Sequence, residues 1–428
     1  KKFTHLPDLL GKGKDDWEAE ELIKTAHTLR PGIIIDNRTQ IEQDLFTPEQ
    51  FQTTQWITHP ETGEKELRSS QKIVELLREH GFEVEYPFYE EVLGYPTAFR
   101  AVLDCGEGPS AAILVEYDAL PEIGHACGHN LHGAMSVLAG LALADIKDSF
   151  KGKLYVIGTP AEELVGAKVH MAAGGIFDNM ALVMMIHSSS GIGSQPQMDL
   201  FNYRTYNIEY FGKQAHSAAA PWMGRNALSA ARKFMDLVDA RRECFHPDMR
   251  CSSVILSGGT VPNIVTPYAK LSTEFRSCSM GSLKEIDSAV RKCAEAAAMA
   301  LDCEVKIDDS ALDFFDMVRV KRLEDAVCEL FVELGEPVLE VAPPIASSDM
   351  GNVSYRCPAI QPLLSIVDEP YALHTAELAD ATTTPKAQKA MEKGAYIIAS
   401  MMLRAFNDEQ FRSDIYAQYQ KAVAAKNG

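Results

Sequence analysis

The 428-residue sequence lacks several features that would assign a class at once. Its nine cysteines form no CxxC pair, which argues against a zinc ribbon, and their odd number and scatter argue against a disulfide framework. Reduced thiols in a cytoplasmic setting are the expectation. No apolar run is long enough to span a bilayer. The charged opening "KKFTHLPDLLGKGKDDWEAE" has no apolar stretch of the kind a secretory signal needs. Basic residues are outnumbered, 41 Lys and Arg against 60 Asp and Glu. The resulting formal charge of −19 speaks against nucleic acid or an anionic membrane as a main partner. Low-complexity linkers and internal repeats are absent as well.

What remains is an ordinary globular composition, 46% hydrophobic and 24% charged, in a chain too long for one core. Two domains are expected. In the first half, short aliphatic runs read as strands: "FEVEYPF" (82–88), "AFRAVLD" (98–104), "AAILVEYD" (111–118), "KLYVIGT" (153–159) and "ALVMMIHS" (181–188). Helical spacing appears between them, at 67–81 and 129–146. Strands buried on both faces and joined by helices predict an α/β domain with a mostly parallel sheet.

Near residue 200 the pattern changes. A half-exposed strand (202–212), an amphipathic helix (224–242), two strands around "VPNIVTP", a helix (282–300) and a strand (303–308) follow in turn. That order, βαββαβ, predicts a ferredoxin-like α+β insertion. The α/β character returns with 326–335, 358–367 and a closing helix at 384–406. The expected domains are therefore 1–200 and 313–428, forming one discontinuous unit, and an inserted 201–312.

Three polar segments fall at the ends of predicted strands: "EYD…HACGHN", "PAEE" and "HSSS". Ligands gather at the carboxyl ends of strands in parallel α/β sheets. Cys127, His129, Glu162, Glu163 and His187 can thus converge on one cleft. Taken singly, each has a structural reading, as a helix-start cysteine, a polar rim, a solvated turn or a core histidine. Together they fit a metal, since thiolate, imidazole and carboxylate are the ligands zinc prefers. Adjacent Glu162 and Glu163 point apart and can divide labour, one binding metal and one handling the proton of an attacking water.

"EYDALPEIGHACGHN", "GTPAEE", "AHSAAAPWMGRNAL", "SSDMGNVS" and "HTAE" occur in the order found in the aminoacylase and carboxypeptidase-G family of dinuclear metallopeptidases. The chain resembles that family over nearly its whole length. It is most similar to the amidohydrolase branch, on the side of p-aminobenzoyl-glutamate hydrolase and the β-alanyl-lysine type dipeptidases. The resemblance implies a catalytic metallopeptidase domain interrupted by a lid and dimerisation domain. It implies two divalent ions, Zn²⁺ or Mn²⁺, held by Cys127, His129, Glu163, His187 and His374, with Glu162 as general base and later acid. Asp118 would support the site without binding metal. His216 would stabilise the oxyanion, in a partner subunit of a homodimer, while Asn263 and, more weakly, Arg276 would contact substrate. The expected substrate is a small amide beside a free carboxylate, an N-acyl or N-aroyl amino acid or a dipeptide. Two other readings compete. One is a cysteine amidase with Cys127 as nucleophile and His129 or His187 as base, and the other is a non-catalytic ligand-binding relative. One departure stands out, because related sequences commonly carry Asp after "CGH" where this chain has Asn130. His125 and His132 are read as structural neighbours.

Overall fold

The computed structural model describes residues 61–308 and 312–427. The charged opening stretch lies outside them. Among the described residues the chain divides into two units, one of 61–199, 317–343 and 349–427, the other of 200–316 with 344–348.

The first unit is built on a six-stranded sheet. Its order is β1 (Glu83–Glu85), β2 (Phe99–Asp104), β4 (Lys153–Gly158), β3 (Ser110–Val115), β5 (Leu182–Met184) and β13 (Ala359–Ile360). The sheet is mixed. The β4–β3, β3–β5 and β5–β13 pairs are parallel, whereas β1–β2 and β2–β4 are antiparallel. Five residues (105–109) link β2 to β3, too few for the crossover that parallel strands require. β3 is buried along nearly all its length, which is why it reads as an unbroken apolar run.

The expected strand 181–188 is two strands. β5 ends at Met184, and β6 (His187–Ser190) pairs instead with β14 (Leu363–Val367). The expected strand 358–367 is interrupted at the same level, between β13 and β14. Pro362 sits at the break, where it has no N–H to give a ladder. Its carbonyl still accepts the His187 N–H at 2.9 Å, so His187 opens a new strand at the sheet's end.

Helix α1 (Leu67–Glu79) packs on β1 and β2, and α2 (His129–Asp145) is buried along almost its entire length. A helix apolar on every side belongs in an interior. It lies against β3 and against α8 (Pro385–Asn407). Helices α3 (Ala167–Ala173), α6 (Lys321–Glu333), α7 (Met350–Ser354) and α9 (Glu409–Asn427) belong to the same unit, with two shorter helices at Glu90–Leu93 and Ala376–Ala381. Helix α9 escapes the pattern reading, although its signals are there. Asp408 caps it through the Phe411 N–H at 2.9 Å, and Phe411, Ile415 and Tyr419 recur every four residues as a buried stripe.

The second unit runs β7 (Asn202–Phe211), α4 (Ala227–Arg241), β9 (Arg250–Ser257), β11 (Tyr268–Ser277), α5 (Met280–Ala300) and β12 (Glu304–Asp308). Its sheet order is β12-β7-β11-β9, and every pair is antiparallel. β11 alternates buried and half-exposed residues along its whole length, the mark of a sheet covered on one face. Asn226 and Ser279 cap the two helices by accepting the Ser229 and Ser282 N–H groups. A separate apolar core, with Phe234, Phe275 and Ile286 fully buried, lies beneath them. Segment 344–348 joins this unit through the Phe201 N–H, which donates to the Ala346 carbonyl at 2.9 Å.

Candidate metal centre

The site grows from the ends of β3, β4 and β6 in the first unit. Just beyond β3, Glu116 and Asp118 both reach the His129 ring, their carboxylate oxygens 3.6 Å from Nε2 and 2.9 Å from Nδ1. After a loop, α2 starts at His129. Gly128 precedes it with φ 82°, and a Cβ there would lie 2.7 Å from the Ser188 side chain. One turn on, a Cβ at Gly133 would meet the Glu116 carbonyl at 2.1 Å. These two glycines let α2 press against the strand ends, carrying His129 and His132 with it.

His129 Nδ1 donates to Asp118 Oδ1 at 2.9 Å. A carboxylate can only accept, so in the neutral ring, the form a metal ligand takes, the other nitrogen keeps its lone pair. That Nε2 is buried and, among the described residues, has no hydrogen-bond partner. It lies 3.6 Å from Glu116, 4.0 Å from Glu162 and 3.8 Å from Glu163 oxygens. Glu163 Oε1 is likewise buried and unpartnered. Cys127 Sγ, with His187 Nε2 at 3.6 Å, completes the group, and His187 Nδ1 is occupied by the Ser188 carbonyl at 2.8 Å. Ligand atoms of Cys127, His129 and Glu163 all lie within 4.8 Å of one another. His374 approaches from the far end of the chain, its Nε2 3.4 Å from Glu163 Oε2. Its backbone is left-handed (φ 61°) and its N–H donates to the Ala126 carbonyl at 3.2 Å.

The neighbouring polar cluster is arranged differently. His132 Nε2 donates to Glu116 at 2.9 Å, and its Nδ1 accepts the Ser188 N–H at 3.2 Å. Lys168 on α3, fully buried, lies 2.7 Å from Glu116 and 2.6 Å from Asp349, just before α7. Both nitrogens of His132 are thus committed, and Glu116 is satisfied without a metal. Sequence reasoning overlooked Glu116, Lys168 and Asp349. The period-two spacing of Glu116 and Asp118 was the available signal for the first.

Electrostatics favour a cation at the open cluster. Burial works against a charged His129, but Asp118, Cys127 and Glu116 together outweigh it and raise the ring's pKa well above its ordinary value, the mark of a pocket that attracts positive charge. Burial, with Glu116 and Glu163 nearby, pushes the Glu162 carboxyl well up. Burial also pushes the Cys127 thiol well up and holds the His187 ring down at about 4. His187 is therefore neutral at pH 7, as a ligand must be. Crowded carboxylates, two unpartnered buried ligand atoms and a thiol fit a divalent metal.

Cys127, His129, Glu162, Glu163, His187, His374 and Asp118 all meet in this unit. His125 is buried beside them with its Nδ1 unpartnered. Asn130 turns away, its amide donating to Thr382 Oγ1 at 3.1 Å. The other three candidates lie in the second unit. β8 (Ala215–His216) pairs with β10 (Ile264–Val265), and the Ser217 N–H donates to the Asn263 carbonyl at 3.0 Å, so His216 and Asn263 are neighbours. Both are exposed. Arg276 lies near the opposite end of β11, stacked on Tyr203 and 3.2 Å from Ser347 Oγ.

An α/β unit that gathers Cys, His and Glu at its strand ends defines a metallohydrolase. The chain belongs to peptidase family M20/M25/M40, whose model matches residues 112–404. It is 37% identical to the Xaa-Arg dipeptidase of Mus musculus over 309 residues, 69% of this chain and 71% of the relative. It is 26% identical to a p-aminobenzoyl-glutamate hydrolase subunit of Escherichia coli, covering 85% of this chain and 90% of that one. Among solved structures, a dinuclear metal binding peptidase of the M20 family from Bacillus subtilis shares the fold at a TM-score of 0.60 and 17% identity, over 90% of this chain and 99% of that one. The protein is an enzyme of this hydrolase class, and its function is metal-dependent amide hydrolysis.

Proposed function

We propose that the enzyme cleaves an amide beside a free carboxylate, dipeptides above all, with Cys127, His129, Glu163, His187 and His374 holding two divalent ions, Zn²⁺ or Mn²⁺. The observation that carries this reading is the pair of buried, unpartnered atoms, His129 Nε2 and Glu163 Oε1, beside Cys127. The name of the mouse relative supports a dipeptide with a basic second residue, and likeness to the dinuclear Bacillus subtilis peptidase supports two ions rather than one. Bound ions supply the Lewis acidity that acidifies a water and polarises the scissile carbonyl. Glu162 takes a proton on its carboxyl oxygen and passes it to the leaving amine, a task suited to a carboxyl whose pKa is raised. Asp118 fixes the His129 ring.

His216 Nδ1 accepts the Ala218 and Ala219 N–H groups, both at 3.2 Å. In the neutral ring the proton therefore sits on Nε2, where it can donate to an oxyanion. Asn263 and Arg276 contact the substrate, Arg276 through its planar fork. The second unit is read as a ferredoxin-like lid and dimerisation domain spanning about 201–312, inserted between catalytic segments 1–200 and 313–428. Edge strand β9 supports dimerisation, with exposed Val254, Ile255 and Leu256 on an unpaired flank. Nine free cysteines support a reducing, cytoplasmic setting.

A cysteine amidase is the weaker reading, because a nucleophile needs a lowered thiol pKa and burial raises that of Cys127. The deciding experiment is a hydrolysis screen of dipeptides and N-acyl amino acids on metal-loaded enzyme, with Glu162→Gln alongside. We expect the variant to keep its metal and lose about 10²–10⁴-fold in kcat. An unchanged rate removes Glu162 from the mechanism, and failure on every substrate with a free carboxylate removes the substrate class.

A further inference from the structure

Glu66 is a fully buried carboxyl group outside the stretch that the family model matches, its pKa pushed up to about 8 by burial. It occupies the position before α1 from which a side chain ordinarily caps the helix, yet makes no cap bond. Glu61 does that work instead, accepting the Arg68 and Ser69 N–H groups at 3.1 and 2.9 Å. Glu66 is thereby released to reach inward. Its Oε1 accepts the Ala161 N–H at 2.9 Å and its Oε2 the Thr97 hydroxyl at 3.0 Å. Thr97 is held in turn, its carbonyl accepting the Tyr117 hydroxyl at 2.7 Å.

Ala161 immediately precedes Glu162 and Glu163. It is buried and left-handed (φ 58°), a conformation a residue with a Cβ rarely adopts. Something must hold it there. Its carbonyl accepts the Val165 and Gly166 N–H groups at 3.1 and 2.8 Å, and two residues on, the Glu163 N–H donates to Asp118 Oδ2 at 3.0 Å. A further restraint, the one on the strained residue's own N–H, is Glu66.

We infer that Glu66 is a positioning residue, whose carboxyl clamps the left-handed turn at Ala161 and so aims the side chains of Glu162 and Glu163. The inference rests on the roles proposed above for those two glutamates. Glu66 acts through hydrogen bonds and, among the described residues, makes no ion pair with Lys or Arg, so an amide of the same length serves equally. Gln keeps a carbonyl oxygen for Ala161, and its NH₂ can donate to the Thr97 oxygen. Asp is one methylene too short to span both.

The test compares Glu66→Gln, Glu66→Asp and Glu66→Ala by kcat, KM, thermal melting and the zinc concentration giving half occupancy. For the Asp and Ala variants we expect kcat to fall about 10-fold or more with KM little changed, and half occupancy to need about 10-fold more zinc. The Gln variant should restore both to within about threefold of the parent. If the Ala variant does not fold, the Asp and Gln pair decides. A Gln variant as impaired as the Asp one overturns the inference, as does a folded Asp variant that matches the parent in rate and zinc binding. Should Glu162→Gln prove fully active, the catalytic assignment falls, and the zinc series still decides the role of Glu66.

Discussion

Two clusters of histidine and carboxylate lie side by side at the strand ends, and their states of satisfaction differ. In one, Glu116 and Asp349 flank the Lys168 ammonium, whose charge faces an Asp349 Oδ1 that has no hydrogen bond of its own among the described residues, and His132 has partners on both nitrogens. In the other, His129 Nε2 and Glu163 Oε1 are buried with none. Residue types alone do not separate them, because Glu116, His129, His132 and His187 also have ligand atoms close enough to hold an ion. The separation comes from a lysine. Its buried ammonium occupies the place a metal would take between Glu116 and Asp349, which favours the side of Cys127 for the proposed metal.

The sharpest way to break this contrast is to remove the lysine. Lys168→Met leaves two buried carboxylates facing each other without a cation, and we expect a loss of about 3–5 kcal/mol in urea unfolding at neutral pH. Burial already pushes the Asp349 carboxyl up to about 6. A raised folded pKa means stability is greatest at low pH and falls as pH rises through that value. The deficit of the variant should therefore shrink when pH is lowered below about 6, as its unpaired carboxylates take up protons. A variant as stable as the parent at pH 7 would show that Lys168 does not close its cluster.

The second test acts on the open side. A ligand present at 100 times its Kd stabilises the folded state by about 2.7 kcal/mol, so chelation should lower the melting temperature of the parent by a corresponding amount. His129→Ala should melt at the same temperature with or without chelator. His132→Gln disturbs the closed cluster and should be less stable overall, yet keep the chelator-dependent shift. If His132→Gln lost the shift while His129→Ala kept it, the two clusters would have to exchange roles.

Much of this was legible beforehand, for identifiable reasons. The strand-end placement of Cys127, Glu162, Glu163 and His187 follows from short apolar runs stopping at polar residues. What stayed hidden depends on contacts distant in sequence. Glu66 and Ala161 are 95 residues apart, and nothing local distinguishes Glu66 from the other acids of "ETGEKE". Lys168 on α3 looks like any helical lysine until Asp349, 181 residues away, closes on it. The break between β5 and β6 was missed because "ALVMMI" runs on apolar across it, while the proline at the matching level, Pro362, lies in the gap between β13 and β14.

Asn130 offers the finest probe of the boundary between the two clusters and the surrounding core. It follows metal-side His129 in sequence, but its amide points to Thr382, whose own hydroxyl hydrogen is already given to the Ala379 carbonyl at 2.7 Å. In Asn130→Asp an ionised carboxylate has no donor there, so the side chain must stay protonated or take the hydroxyl from Ala379. Either course costs about 1 kcal/mol of stability, the scale of one buried hydrogen bond. Because the group faces away from His129 Nε2, zinc stoichiometry and kcat should stay near those of the parent. A change of about 10-fold or more in either, with unchanged melting, would place Asn130 on the metal side and shift the boundary by one residue along α2.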